Sequence, residues 1–170
     1  MAENRHRSGH VRNILAAYGL SWFWVVAVVT ILQAVLPVSG AGIKMPVLSV
    51  LYALSGLIPS LGWLGDASSG LGLFMVLIFA PVIEEALFRL LPLTLVLDKH
   101  PDKIRAVQIA VCGIIFGWMH GSPLNVFIQG FVGLMLGWLF VKNYSSQWAA
   151  YFSCVIVHAL YNFTVIMTAL

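Results

Sequence analysis

Two adjacent glutamates and an arginine interrupt a long apolar run of the sequence. Glu84, Glu85 and Arg89 lie within Ile-Phe-Ala-Pro-Val-Ile-Glu-Glu-Ala-Leu-Phe-Arg, a segment otherwise free of charge. On a helix, Glu85 and Arg89 are four residues apart and can form an ion pair on one face. Glu84 points about 100° away from Glu85 and lacks that partner. A carboxylate outside an ion pair can take a proton from water, so Glu84 is the candidate general base.

Two histidines stand in other apolar runs. His120 ends one run, whereas His158 lies well inside another, with Asn162 one helical turn later on the same face. A histidine and an asparagine on one face of an apolar helix predict a polar cavity or polar partners on neighbouring helices. Asn125 and Gln129, also four residues apart, could line the same cavity or form hydrogen bonds between helices.

Other roles for these polar groups stay open. A buried Glu85–Arg89 pair could simply fix helix packing, although this would not account for Glu84. Two histidines and two glutamates could also bind zinc, which usually takes three or four N, O or S ligands. However, the sequence has no His-Glu-x-x-His pair, and the amide of Asn162 is a poor zinc ligand. A transporter or proton path would also use buried glutamate and histidine.

The composition predicts the class of fold that positions these residues. The chain has 170 residues, of which 61% are hydrophobic and only 9% charged, and its mean hydropathy is +0.96. Soluble domains carry about 25% charged residues. We therefore predict an all-α, polytopic transmembrane helical bundle, because lipid-exposed backbone must be hydrogen-bonded within its own helix. The net charge of +3 comes from short flanks and loops, so we expect no nucleic-acid partner.

About five to six spans are expected, since each needs about 20 apolar residues. A stretch at about 46–64 is interrupted by prolines and glycines and could cross the membrane or form a re-entrant helix. Residues 1–170 are interpreted as one membrane domain, whose first span is too long for a signal peptide. The remaining spans are predicted at about 14–36, 70–97, 104–120, 124–140 and 148–169.

Small residues and helix depth predict how the spans meet. Gly113 and Gly117, like Gly133 and Gly137, recur at four-residue intervals, a spacing that lets helix backbones approach closely in lipid. The two cysteines, Cys112 and Cys154, fall within spans and are interpreted as packing residues. At about 1.5 Å per residue, the four candidate groups of three spans lie roughly 16–23 Å from one membrane face. We therefore expect Glu84, His120, His158 and Asn162 to gather at one level.

Orientation depends on the 46–64 stretch. If that stretch does not cross, the arginines and lysines of the N-terminus and of two loops share one side, which the positive-inside rule places in the cytoplasm. The candidate groups would then lie nearer the outer face. If the stretch does cross, the basic residues divide between the two sides and the rule decides little.

Three motifs in this order resemble the CPBP family of membrane proteases. The motifs are Glu84-Glu85-x-x-x-Arg89, Phe116-x-x-x-His120 and His158-x-x-x-Asn162, each on its own predicted span. The family includes the Ras-converting CAAX endopeptidases and bacterial relatives, some of them tied to bacteriocin immunity. The resemblance covers about residues 70–165, the expected core of the domain.

The resemblance implies a helical bundle with a conical cavity and a glutamate-type intramembrane endopeptidase without a cofactor. By motif position, Glu84 would activate water, His120 would assist at that water, and His158 with Asn162 would stabilise the oxyanion. The Glu85–Arg89 pair would hold the helix of the first glutamate in place.

The substrate implied is a protein or peptide with a lipidated or transmembrane C-terminal tail, held in the bilayer. The chain has fewer spans before Glu84 than the eukaryotic CAAX enzymes. In this respect it is similar to short bacterial sorting proteases, sometimes called myxosortases, and we expect a bacterial or archaeal plasma membrane. The alternatives are a non-catalytic scaffold or bacteriocin-immunity protein, and a zinc-dependent membrane protease.

Overall fold

Five helices make up the part of the chain that the structure describes. The computed structural model covers residues 2–35, 70–97, 102–121 and 123–169, without strands in these ranges. The all-α prediction is therefore confirmed. The helices are α1 (Ala2–Val35), α2 (70–97), α3 (Asp102–Met119), α4 (Pro123–Lys142) and α5 (Gln147–Ala169).

Four of the described helices are long and apolar enough to cross a membrane. The candidate spans are Gly9–Val28 within α1, Gly70–Leu95 within α2, and Pro123–Lys142 and Gln147–Met167. The predicted span at 104–120 does form a helix, α3, but it is not among the four, and its first turn carries three charged residues. The count is thus close to the predicted five to six. The 46–64 stretch lies outside the described residues.

Helix α2 is not a uniform α-helix. It consists of three α-helical pieces joined by two π-helical turns, Met75–Phe79 and Ala86–Leu90. Each turn is closed by a bond from residue i+5, and a proline comes two residues after its end, Pro81 after the first turn and Pro92 after the second. Proline lacks an N–H and its ring clashes with the carbonyl of residue i−4 in a regular helix. The wider π-turns accommodate both prolines, and they flank the two glutamates.

Helices α3 and α4 approach each other at glycines, as the four-residue spacing predicted. A Cβ atom on Gly117 would lie 2.6 Å from the carbonyl oxygen of Asn125 and 2.7 Å from the backbone nitrogen of Gly130. Backbone therefore fills the space that a side chain would need. The connecting turn contains Gly121 with a positive φ of 91°, a conformation that favours glycine.

Helix α4 forms the centre of the bundle and contacts α1, α3 and α5. Its residues Leu136, Leu139 and Phe140 are fully buried and belong to one apolar core with Cys154 and Val157 of α5. Cys154 is thus a packing residue, as predicted, and Cys112 is half-buried. Helix α2, which carries the glutamates, packs against α4 and α5.

Candidate active site

Glu85 is a fully buried carboxylate with two basic neighbours on one oxygen. Its Oε1 lies 3.1 Å from Nη1 of Arg89 and 2.8 Å from Nδ1 of His158, and its side chain has no solvent exposure. The predicted Glu85–Arg89 pair is therefore present. Because an ionised carboxylate only accepts hydrogen bonds, Nδ1 of His158 carries the hydrogen of this contact.

Arg89 connects three helices. Its Nη2 donates to the carbonyl oxygen of Gly133 on α4 over 3.1 Å. Its guanidinium carbon lies 4.6 Å from the ring centroid of Phe116 on α3. A buried guanidinium with a carboxylate, a carbonyl and an aromatic face has the partners that offset loss of water. Arg89 therefore fixes α2 to α3 and α4 around Glu85.

Glu84 has a different environment from its neighbour. Its side chain is 31% exposed, and its Oε2 lies 3.7 Å from Nε2 of His158. This distance is longer than a hydrogen bond, so both atoms keep capacity for another partner. The imidazole of His158 consequently lies between two carboxylates, in contact with Glu85 on one side and facing Glu84 on the other.

His120 and His158 both contact the aromatic ring of Phe116. At the end of α3, its Nδ1 donates to the carbonyl oxygen of Phe116 over 2.7 Å, and its ring centroid lies 4.6 Å from that of Phe116. The ring of Phe116 also lies edge-on to that of His158, with 5.6 Å between the ring centroids. With Nδ1 as a donor, a neutral His120 presents an accepting Nε2.

Asn162 contacts the backbone of α2. Its Nδ2 donates to the carbonyl oxygen of Val76 over 3.0 Å, and the side chain is buried. The resemblance to CPBP proteases implied an oxyanion donor here. In the structure, one of its two amide hydrogens is engaged by α2, in the first π-turn.

The two polar residues of α4, Asn125 and Gln129, are buried and face other parts of the fold. Asn125 donates from Nδ2 to the carbonyl oxygen of His120 over 2.6 Å, which holds the turn after α3. Gln129 is buried, and its amide lies close enough to the hydroxyl of Tyr161 on α5 to interact with it. Asn125 thus holds the turn between α3 and α4, and Gln129 faces α5.

Several residues of the site were not predicted from the sequence. Phe116 was noted only as part of a motif, yet its ring contacts His120, His158 and Arg89. Tyr151 donates to the carbonyl oxygen of Val82 over 2.9 Å, two residues before Glu84. A phenylalanine or tyrosine in an apolar helix carries no signal of such a role. Pro81, by contrast, could have been singled out from the sequence, because a proline in the interior of a helix must disturb it.

Metal ligands do not converge among the described residues. In these ranges, no group of three or more histidine, cysteine, aspartate or glutamate side chains is placed to hold a metal ion. Of the residues weighed as zinc ligands, His158 is hydrogen-bonded to Glu85 through Nδ1 and lies 3.7 Å from Glu84. His120 is hydrogen-bonded to the carbonyl oxygen of Phe116.

Comparison with known proteins places these contacts in a family. A family model described as "Type II CAAX prenyl endopeptidase Rce1-like" matches residues 66–164, more than half of the chain. No curated protein and no solved structure matches the chain. The matched region contains all six predicted site residues, from Glu84 to Asn162, and the family consists of CAAX-type membrane endopeptidases. The chain, an integral membrane protein whose described residues include four helices fit to span a bilayer, therefore belongs to the Rce1-like family of type II CAAX prenyl endopeptidases.

Proposed function

We propose that this protein is an intramembrane endopeptidase in which Glu84 activates the attacking water. The supporting observation is the contrast between the adjacent glutamates. Glu85 is fully buried and shared between Arg89 and His158, whereas Glu84 is 31% exposed and only faces His158, at 3.7 Å. A general base must reach a water and then lose its proton again, and Glu84 is the carboxylate that is open to both steps.

His120 assists at the same water. Its Nδ1 is occupied by the carbonyl oxygen of Phe116, so its Nε2 is free to accept a hydrogen bond. The imidazole lies near enough to Glu84 and His158 for their charges to act on it. An acceptor at His120 and a carboxylate at Glu84 orient the two hydrogens of one water and aim its lone pair at the scissile carbonyl.

His158 stabilises the oxyanion. Because its Nδ1 donates to Glu85, the ring offers a second donor at Nε2 only as the doubly protonated imidazolium. The carboxylates of Glu85 and Glu84 lie on the two sides of that ring. Hydrogen-bond donors aimed at a developing oxyanion contribute about 2.7–4 kcal/mol each in other hydrolases. The proton taken up by Glu84 then passes to the leaving amine.

The substrate is a protein or peptide with a membrane-associated C-terminal tail, which the family supports in general terms. Whether the tail is prenylated or a transmembrane helix distinguishes a CAAX-type reaction from that of a sorting protease. The finer proposal is the sorting reaction, in a bacterial or archaeal plasma membrane. No cofactor is required by this scheme, and zinc is the alternative that the experiment below tests.

Cleavage by the purified protein, in detergent or nanodiscs, tests the proposal. Wild type, Glu84→Gln and His158→Ala are incubated with prenylated and transmembrane-tail peptides, with and without a strong chelator, and products are identified by mass spectrometry. Asp102→Asn is the matched control, since it makes the same acid-to-amide change at an exposed surface residue. We expect chelator-resistant cleavage by wild type and Asp102→Asn, and a loss of at least about 100-fold in the two site variants.

Two other outcomes would support the alternative functions. Cleavage lost with the chelator and restored by zinc would replace the glutamate mechanism by a metal-dependent one. A folded wild type that cleaves no peptide, together with a Glu84→Gln variant that keeps its biological role, would favour a membrane scaffold or an immunity protein.

A further inference from the structure

The first π-turn of α2 leaves one carbonyl without its helical partner. The N–H of Ala80 donates to the carbonyl oxygen of Met75, five residues earlier. In this register the next donor, for the carbonyl of Val76, would be residue 81, which is a proline and has no N–H. An unpaired carbonyl in an apolar environment is costly, so another donor is required.

Asn162 supplies that donor. Its Nδ2 lies 3.0 Å from the carbonyl oxygen of Val76, and both residues are buried. The contact joins α5 to α2 across 86 positions of sequence. The amide therefore replaces the hydrogen bond that Pro81 removes.

We infer that Asn162 is a positioning residue that acts through Val76 and is coupled to Pro81. The π-turn between Val76 and Pro81 sets the rotation of the helix segment that follows, and Glu84 is three residues beyond Pro81. Each residue of a helix corresponds to about 100° of rotation, so a change of register there would turn Glu84 away from His158. This last step rests on the proposed role of Glu84, whereas the Asn162–Pro81 coupling does not.

Two contacts on the same helix provide controls. Pro92 follows the second π-turn as Pro81 follows the first, but Asn162 contacts only the first turn. Tyr151 also donates to an α2 carbonyl, that of Val82, but this carbonyl already accepts the N–H of Ala86. Of these α2 carbonyls, Asn162 donates only to that of Val76, so removal of Pro92 should not change the contribution of Asn162.

A double-mutant cycle on the full-length protein tests the coupling. Melting temperatures in one detergent are measured for wild type, Asn162→Ala, Pro81→Ala and the double variant, and the same set is made with Pro92→Ala. Alanine at position 81 restores an N–H, so the Val76 carbonyl regains a partner within α2. Loss of one buried hydrogen bond corresponds to a fall of roughly 2–8 °C for a chain of this size. We expect Asn162→Ala to produce that fall in the wild-type and Pro92→Ala backgrounds, and less than half of it in the Pro81→Ala background.

An equal fall in all three backgrounds would overturn the inference. Peptide cleavage by the same variants then separates positioning from direct contact with substrate. A positioning role predicts that Asn162→Ala lowers kcat roughly tenfold in the wild-type background and much less in the Pro81→Ala background, whereas a group that contacts the reacting atoms would lower kcat equally in both. If wild type cleaves no peptide, the proposed function fails, while the melting temperatures still decide the coupling.

Discussion

Nδ1 of His158 lies 2.8 Å from Oε1 of Glu85, although 73 residues separate them in the sequence. This contact distinguishes the two glutamates. Glu85 holds the imidazole and, through the same oxygen, the guanidinium of Arg89. Glu84, on the other side of the ring, keeps its carboxylate available. The adjacent acids thus have different environments because one histidine lies between them.

Loss of one partner of the Glu85–Arg89 pair should destabilise the protein far more than replacement of both partners. Glu85→Leu leaves the guanidinium of Arg89 buried without its carboxylate, which costs about 3–5 kcal/mol, whereas an apolar pair of similar volume is often neutral. We therefore expect Glu85→Leu to lower the melting temperature more than the double variant Glu85→Leu/Arg89→Met. Thermal unfolding in one detergent measures both.

Cleavage activity is the second readout of this comparison. All variants that lack Glu85 should be inactive, because His158 loses the carboxylate that orients it. A double variant less stable than Glu85→Leu would contradict the interpretation of Arg89 as a buried charge that depends on Glu85.

Gly133 should not tolerate a side chain. A Cβ atom there would lie 3.0 Å from Nη2 of Arg89 and 3.1 Å from Cα of Gly113. Overpacking of this kind costs about 1–3 kcal/mol, and displacement of Arg89 should also lower activity. Gly19→Ala is the matched control on α1, since nothing lies within 4 Å of its added Cβ. Melting temperature and cleavage rate should fall for Gly133→Ala and stay near wild type for Gly19→Ala.

Much of the fold could be predicted because lipid leaves few alternatives. Apolar runs predicted the helices α1 to α5, and the glycine spacing predicted the close approach of α3 and α4. The ion pair of Glu85 and Arg89 followed from their spacing on one helix. These features depend on residues that are close in the sequence, or on an apolar composition that only membrane helices can satisfy.

The rest depends on contacts between distant helices. Nothing in the spacing of His158 indicates that it donates to Glu85 rather than to Glu84, since either could face it on a regular helix. The π-turns next to Pro81 and Pro92 change the rotation of α2, so a regular helical projection misplaces both glutamates. The contact of Asn162 with a backbone carbonyl has no side-chain partner that a motif could reveal.

Asn143 should affect stability without affecting catalysis. It is fully buried after α4, accepts a hydrogen bond from Asn13 over 2.9 Å and donates to Ser153 over 3.1 Å. Asn143→Leu would leave the Asn13 amide without this acceptor, at a cost of about 1–3 kcal/mol. We expect a lower melting temperature and an unchanged kcat measured well below it. A large loss of kcat in fully folded Asn143→Leu would mean that this network also reaches the catalytic groups.

Tyr151→Phe should be a mild change, although its hydroxyl contacts the helix of the glutamates. The carbonyl oxygen of Val82 accepts the N–H of Ala86 as well as the hydroxyl of Tyr151, so the variant leaves that carbonyl paired. Interhelical hydrogen bonds in membrane proteins average about 0.6 kcal/mol, which is close to the expected loss. Asn162→Ala should cost more, because it leaves the carbonyl oxygen of Val76 without a donor, Pro81 having no N–H to offer. Melting temperatures of the two variants, measured together, check this order, and a larger fall for Tyr151→Phe would show that backbone pairing within α2 does not decide the cost.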